Sequence, residues 1–481
     1  MFDVASAAVE AALAAGATYA DARAMIITTE DLSATDGILE QVARAQSAGV
    51  GVRALVGSSW GFFAVPEPSD AQAKDAGEQA AAIARASAMV PGPPLELSDV
   101  PVHQAHWDSA WVEHPAHVSL AEKGDLLVDV TNEMANVEGI SVADAYLVSW
   151  DTEKWFVSSQ GHRISQHVVE CGVAMSATAV GERETQRRSF GGVGGQFGTR
   201  GYELIREADL PGNARRIGEE AVELLHAPEC LPGTVDLILG SEQLALQIHE
   251  SVGHAIELDR ILGWEAAFAG TSFLDLAQLR TLRYGSELMN ITADATLPGA
   301  LGSFGYDDEG TPAQRVDIVK DGVWVGVLSG RDSAAIAGLP PGGMVRSDGY
   351  GRIPMVRMTN VGLSPGTSTL DDMIAATDDG IYMETNRSWS IDDKRLNFQF
   401  GCEMGREVKN GTLGRMVRNP TYTGITPQFW GSLDMLGGGK PGEWVFWGTP
   451  NCGKGQPEQV GHTGHPSVPA RFKAVRIGVR G

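Results

Sequence analysis

Apolar residues recur at helical spacing over residues 4–15 and stop at Gly16, after which the period shortens to two. Alternating runs then occupy 24–28, 42–47, 50–55 and 60–65, with a turn signal, Thr35-Asp36-Gly37, between two of them. Residues 69–89 return to helical spacing behind Ser69, a good N-cap residue. The pattern predicts an α+β segment over 1–90 built on hairpins. Val90-Pro91-Gly92-Pro93-Pro94 interrupts all periodicity and reads as a linker. Helical spacing at 120–137 and 213–226 brackets strand-like runs at 140–150, 155–159 and 167–180, a second α+β segment over 91–228. Across 229–481 short strands alternate with turn signals, among them Lys320-Asp321-Gly322 and Asn410-Gly411, which predicts a β-rich domain, a barrel or a sandwich. One long helix, at about 241–262, is expected near its start. The fold class is therefore α+β.

The chain has 481 residues, enough for two or three domains, and 43% of them are hydrophobic. Its 37 Lys and Arg against 61 Asp and Glu give a net charge of −24, which repels a phosphate backbone and disfavours nucleic acid as a partner. No basic stretch opens the chain, and no apolar run reaches the roughly 18 residues of a membrane span. A cytoplasmic protein without membrane contact is expected. The four cysteines, Cys171, Cys230, Cys402 and Cys452, lie far apart, unlike a disulfide scaffold, so reduced thiols are expected.

The candidate chemistry lies on the long helix, in Gln247-Ile248-His249-Glu250-Ser251-Val252-Gly253-His254. By composition, a His-acid-x-x-x-His array arises by chance in roughly 3% of such chains. Its histidines stand five apart, about 140° around a regular helix, where a zinc motif with four-residue spacing leaves them about 40° apart. A π-bulge can close that gap, and Gly253 tolerates one, so an irregularity is predicted over 251–254. Two imidazoles favour Zn²⁺, and a catalytic zinc needs one more protein ligand and an open position. Cys452, His462 and His465 are the candidates; the thiolate is favoured because a metal lowers its pKa, but the residues leave the choice open. Glu250 would then face the open position and take a proton from a zinc-bound water.

Other residues carry two readings each. Glu257 and Asp259 are either carboxylates that orient a ligand histidine or plain helix-face charge. His462 and His465, when not ligands, are substrate or oxyanion contacts or else exposed loop residues. Asp307-Asp308-Glu309 resembles a hard-cation site, with a solvated turn as the plainer reading. Arg346, Arg352 and Arg357 suit a peptide carboxylate, surface pairing being the plainer reading. Cys171, Cys230 and Cys402 read as core residues.

The array of residues 249–254 with Glu257 and Asp259, then Gly305-Tyr306-Asp307-Asp308-Glu309-Gly310, and the Gly-x-x-x-Cys-Gly-Lys-Gly-Gln run around Cys452 together resemble the TldD/PmbA family of metallopeptidases. Tyr19-Ala20-Asp21-Ala22-Arg23 and the stretches at 51–53 and 60–62 are similar to it as well, so the resemblance covers nearly the whole chain. It implies a zinc peptidase of the TldD type with one zinc per subunit, held by His249, His254 and Cys452, and with Glu250 as the base. It further implies a dimer, either of identical subunits or with a paralogue lacking the array, that encloses a cavity and cleaves unfolded or flexible peptides. A non-catalytic zinc-binding subunit that holds peptides for a paralogous partner is the alternative. Two histidines beside the cysteine run, His462 and His465, depart from the commonest pattern and bear on substrate preference. Surplus carboxylates lining such a cavity would favour neutral or basic peptides.

Overall fold

The computed structural model describes residues 1–478 except 91, 93, 94, 193 and 269. The linker expected at Val90-Pro91-Gly92-Pro93-Pro94 thus lies largely outside the described residues. The fold is α+β, with two sheet systems that meet over the candidate site.

The three hairpin turns read from the sequence close as expected. In Asp36-Gly37, Asp321-Gly322 and Asn410-Gly411 both residues have positive φ, the conformation that matches the twist of the flanking strands. The first joins Tyr19–Thr35 to Ile38–Val56, two long strands that absorb the shorter alternating runs. Ser59–Pro66, Ile140–Ser158, Arg163–Val180 and Gln104–Asp108 extend the same sheet, with two short strands added on Arg163–Val180. Segments 1–90 and 91–228 therefore build one eight-stranded sheet, joined where Tyr19–Thr35 pairs with Ile140–Ser158.

Strand alternation gives the two faces of this sheet different work. Ala20, Ala22 and Ala24 point at the helices Phe2–Ala14 and Asp70–Ser87, whose contact faces are also alanine. Small side chains let helix and sheet approach closely: a Cβ on Gly61 would stand 2.1 Å from the Ala80 carbonyl oxygen. Ser69 caps Asp70–Ser87 in a reciprocal bond with Gln72, as its sequence predicts. Leu120–Ala135 and Leu210–His226 cover the other end of the sheet with Leu, Val and Met. Asp21, Arg23 and Met25, on the opposite face from the alanines, face the C-terminal region.

There, Asp379–Ile391, Gly233–Leu239, Ala470–Ile477, Thr421–Ile425 and Asn397–Lys409 pair in a closed ring, a five-stranded barrel. Closure removes free edges and turns Leu237, Phe398, Phe400, Tyr422 and Phe472 into a buried aromatic and aliphatic core. The stacked rings of Phe429 and Phe472, 4.1 Å between centroids, close one side of it.

The junction of the two halves is ionic. Asp307, Asp308 and Glu309 are each 1% exposed, so the solvated turn does not occur, and among the described residues the three do not gather as a metal-ligand group. Lys154 of the large sheet donates to Asp308 at 2.6 Å, and Arg53 bridges Asp21 at 2.7 Å and Glu309 at 3.2 Å. These cations come from strands more than 100 residues away, which local sequence does not disclose. Among the described residues no helix is long and apolar enough to cross a membrane.

Candidate metal centre

The expected long helix is broken. Residues Ser241–Ile248 are α-helical, His249–Gly253 form a π-helical turn, and Leu258–Ile261 is a separate short helix. The amide of His254 donates to the His249 carbonyl five residues back, at 3.1 Å. The irregularity is thus present and begins two residues earlier than predicted. The surroundings pin it: Tyr284 donates its hydroxyl to the Ser251 carbonyl at 2.6 Å, and Trp430 Nε1 donates to Ser251 Oγ at 2.9 Å. Gly253 serves close packing here, because a Cβ would stand 2.1 Å from Met358 Sδ.

The wider turn brings the imidazoles of His249 and His254 to 4.8 Å between centroids, at right angles. Cys452 faces them from the strand Val445–Lys454, at an irregularity in its pairing with Gln459–Ser467. His249, His254 and Cys452 are buried, and one ligand atom from each lies within 4.8 Å of the others. Cys452 Sγ is 3.6 Å from His254 Nε2, the separation of about 3.6 Å that zinc–sulfur and zinc–nitrogen bonds give at a tetrahedral angle.

Each imidazole has its other nitrogen engaged. His254 Nδ1 is 3.0 Å from Glu257 Oε2, and His249 Nδ1 is 2.8 Å from His465 Nε2. A carboxylate only accepts, so His254 donates from Nδ1 and keeps a lone pair at Nε2. Burial pushes both imidazoles below the ordinary histidine value, towards the neutral, ligand form. Burial also pushes the Cys171, Cys230 and Cys402 thiols up. Cys452 differs, since burial there is outweighed by His254 and Arg357 and its pKa falls. The donor set fits a zinc ion.

Behind the ligands lies a buried ionic cluster. Lys454 Nζ stands 3.2 Å from Glu257 and 2.8 Å from Asp259, and donates to the Val356 carbonyl. Glu257 and Asp259 are therefore not helix-face charge: Glu257 contacts His254 directly, and Asp259 is linked to it through Lys454 and Glu257. Burial works against ionisation of Glu257, but Lys454 and His254 hold it well below the usual carboxylate range.

A cavity of about 340 Å³ opens onto the ligands, with Glu250, Arg395, Trp389 and the edge 447–453 in its wall. Glu250 Oε2 accepts from Arg395 Nη1 at 2.5 Å. His465 is not in that wall. It is fully buried behind His249, with Nδ1 2.9 Å from the Val361 carbonyl. His462, on the same strand, lines a different cavity, where its Nδ1 meets Glu170 at 2.9 Å. Neither is an exposed loop residue. Sequence reading missed Arg395, 145 positions from its partner, and no local signal marks it. Lys454 had one, two residues after Cys452 in the Gly-Lys-Gly run.

Two other places compete with this one. A larger cavity of about 600 Å³ between Trp111 and Trp444 holds no ligand cluster among the described residues. His114, Asp151 and His167 do cluster, but His114 Nδ1 accepts from the Ala116 amide at 3.1 Å, which leaves the proton on Nε2, towards Asp151. That nitrogen then carries the ring proton and has no lone pair for a metal.

A barrel domain bearing two histidines, a cysteine and an adjacent glutamate defines a metallopeptidase-type centre. Family models for the first, central and C-terminal domains of PmbA/TldA metallopeptidases match residues 20–84, 113–227 and 232–476, and the chain belongs to this PmbA/TldD family. A metalloprotease of Methanothermobacter thermautotrophicus is 30% identical over 424 residues, 87% of this chain and 88% of that one. A zinc metalloprotease TldD homolog of Saccharolobus solfataricus is 27% identical over 205 residues, 42% and 44% of the two chains. The fold matches TldE of Thermococcus kodakarensis with a TM-score of 0.73 at 15% identity, over 98% of this chain and 99% of that one.

Proposed function

We propose that this metalloprotease hydrolyses peptide bonds of unfolded or flexible chains, with one zinc ion held by His249, His254 and Cys452 and with Glu250 as general base. The observation that carries the reading is the π-helical turn, which brings His249 and His254 together opposite Cys452 and sets Glu250 in the cavity wall. When bound, zinc supplies a Lewis acid for the scissile carbonyl and lowers the pKa of water. Glu250 takes the proton of the attacking water and passes it to the leaving amine. Arg395 holds the Glu250 carboxylate in the wall, and His465 and Glu257 orient the ligand imidazoles.

Substrate is held as a strand. Val445–Lys454 pairs only with Gln459–Ser467 among the described residues, so its second edge, beside the cavity, has amides and carbonyls to offer an extended peptide. Recognition through the main chain gives broad sequence preference, and the cavity volume excludes folded domains. The reading favours catalysis over a closed structural zinc because neither His462 nor His465 joins the ligand group. A second copy or a paralogous subunit completes the enclosure.

The test is metal analysis of the wild type and Cys452→Ser, with cleavage of a permanently unfolded protein assayed before and after chelation. Zinc and cleavage should be lost together in Cys452→Ser, and Glu250→Gln should keep zinc and lose cleavage. Full cleavage after complete removal of metal would sink the proposal.

A further inference from the structure

Across the Cys452 strand from the metal centre lies a second cavity of about 480 Å³, between the large sheet and the C-terminal region. Its wall is apolar where the sheet supplies Met25, Ile27 and Val168, and cationic where Arg346 and Arg357 enter. Two carboxylates, Glu170 and Asp348, share this wall, and among the described residues neither pairs with Arg346 or Arg357. Lys154 is held by Asp308 at 2.6 Å, Glu170 by His462 at 2.9 Å, and Asp348 accepts from the Val460 amide at 2.8 Å.

The guanidinium groups are different. Arg346 donates Nη2 to the Met358 and His462 carbonyls, and Arg357 donates to the Gln459 and Cys452 carbonyls. Among the described residues neither forms an ion pair with a carboxylate, and the Nε of each is buried without a partner. Arg357 is 2% exposed. Two guanidinium groups buried in one wall without a directly paired carboxylate are costly unless an anion meets their free donors, and a forked donor suits a carboxylate. Burial and the neighbouring Arg357 charge push Arg346 down to about 10, against the pull of Glu170 and Asp308, which raise it. In a chain of net charge −24, two guanidinium groups buried in one cavity wall call for a specific ligand.

We propose that this cavity is an anion subsite that binds a carboxylate carried on an apolar peptide, through Arg346 and Arg357. The inference rests on the peptidase reading only for the bearer of the carboxylate, which is either the C-terminus of a chain or an acidic side chain. It also reverses, at this cavity, the preference for neutral or basic peptides expected from the net charge.

The test uses zinc-loaded full-length Glu250→Gln protein, so that ligands stay intact. Three probes are titrated: acetyl-Ala-Ala-Leu-Phe with a free carboxylate, its C-terminal amide, and the amide with Glu in place of Leu. The free acid should bind about tenfold more tightly than the amide, as expected for a charge-assisted fork. If the Glu amide also regains that affinity, the bearer is a side chain as well; if it does not, the bearer is the terminus alone. Arg346→Gln should narrow acid and amide to within twofold, and Arg346→Lys, which keeps the charge, should stand between. Trp150, 4.6 Å from the His462 ring in this wall, reports position: binding should change fluorescence in the parent and not in Trp150→Phe. Equal binding of acid and amide, or an unchanged fluorescence response in Trp150→Phe, overturns the subsite. Cleavage by the wild type is measured separately. A protein that cleaves but ignores the carboxylate loses only the subsite, and one that discriminates but never cleaves loses only the peptidase reading.

Discussion

His249 and His465 share a hydrogen bond of 2.8 Å between Nδ1 of the first and Nε2 of the second, while His465 Nδ1 lies 2.9 Å from the Val361 carbonyl. A carbonyl only accepts, so His465 carries its proton on Nδ1 and accepts at Nε2; His249 must then donate from Nδ1 and keep a lone pair at Nε2. One main-chain oxygen thus fixes the tautomer of a candidate ligand, His249, through the ring of His465. His465→Ala should weaken zinc about 10- to 100-fold, measured by competition with a chelator of known affinity. Unchanged affinity would show that His249 is oriented by something else.

Arg395 reaches Glu250 from a turn 145 residues away, and its side chain borders the same cavity. Loss of the guanidinium frees the carboxylate to rotate without touching a ligand. Arg395→Met should therefore keep full zinc content while kcat falls about 100-fold, the scale of losing one preorganised electrostatic contact. An unchanged kcat with a raised KM would place Arg395 on the substrate instead.

What could be read from residues alone follows the range of the forces involved. Periodicity and turn chemistry are local, so the helices, the three hairpins and even the distortion next to Gly253 were legible. The ring of strands that closes the barrel joins Gly233–Leu239 to Ala470–Ile477 across more than 200 residues, and no local pattern specifies it. The acidic run at Asp307, Asp308 and Glu309 was misread for the same reason. Three adjacent carboxylates look solvated until Arg53 and Lys154 arrive from another sheet. His465 is the sharpest case: its motif position beside Cys452 was visible, but its role depends on which atom its second nitrogen meets.

Lys454 sits fully buried between Glu257 and Asp259. Removing it takes the Lys454 partner from both carboxylates and leaves Glu257 with Arg260 at 3.4 Å, and breaking a buried ion pair from one side costs about 3–5 kcal/mol. Lys454→Met should lower the unfolding free energy by about that amount in urea titration. Adding Asp259→Leu should recover part of it by removing one orphaned charge. If the double variant is no more stable than the single one, the loss comes from packing rather than from uncompensated charge.

The junction between the large sheet and the C-terminal region should give way in acid. Burial works against ionisation of Asp308, but Lys154 and Arg23 outweigh it, and together with bonds from Ser347 they bring its pKa down to about 2. A carboxylate depressed in the folded state adds stability that is complete above its unfolded pKa, near 3.8, and disappears as pH falls through the folded value. The contribution is about 2 kcal/mol, and the window runs from about pH 4 down to about pH 2. Lys154→Met removes the cation at 2.6 Å, so its unfolding midpoint should be lower at neutral pH and should decline less steeply across that window. Urea titrations at pH 7, 4, 3 and 2.5 on both proteins decide it: parallel declines would mean that Asp308 and Lys154 do not set the acid limit.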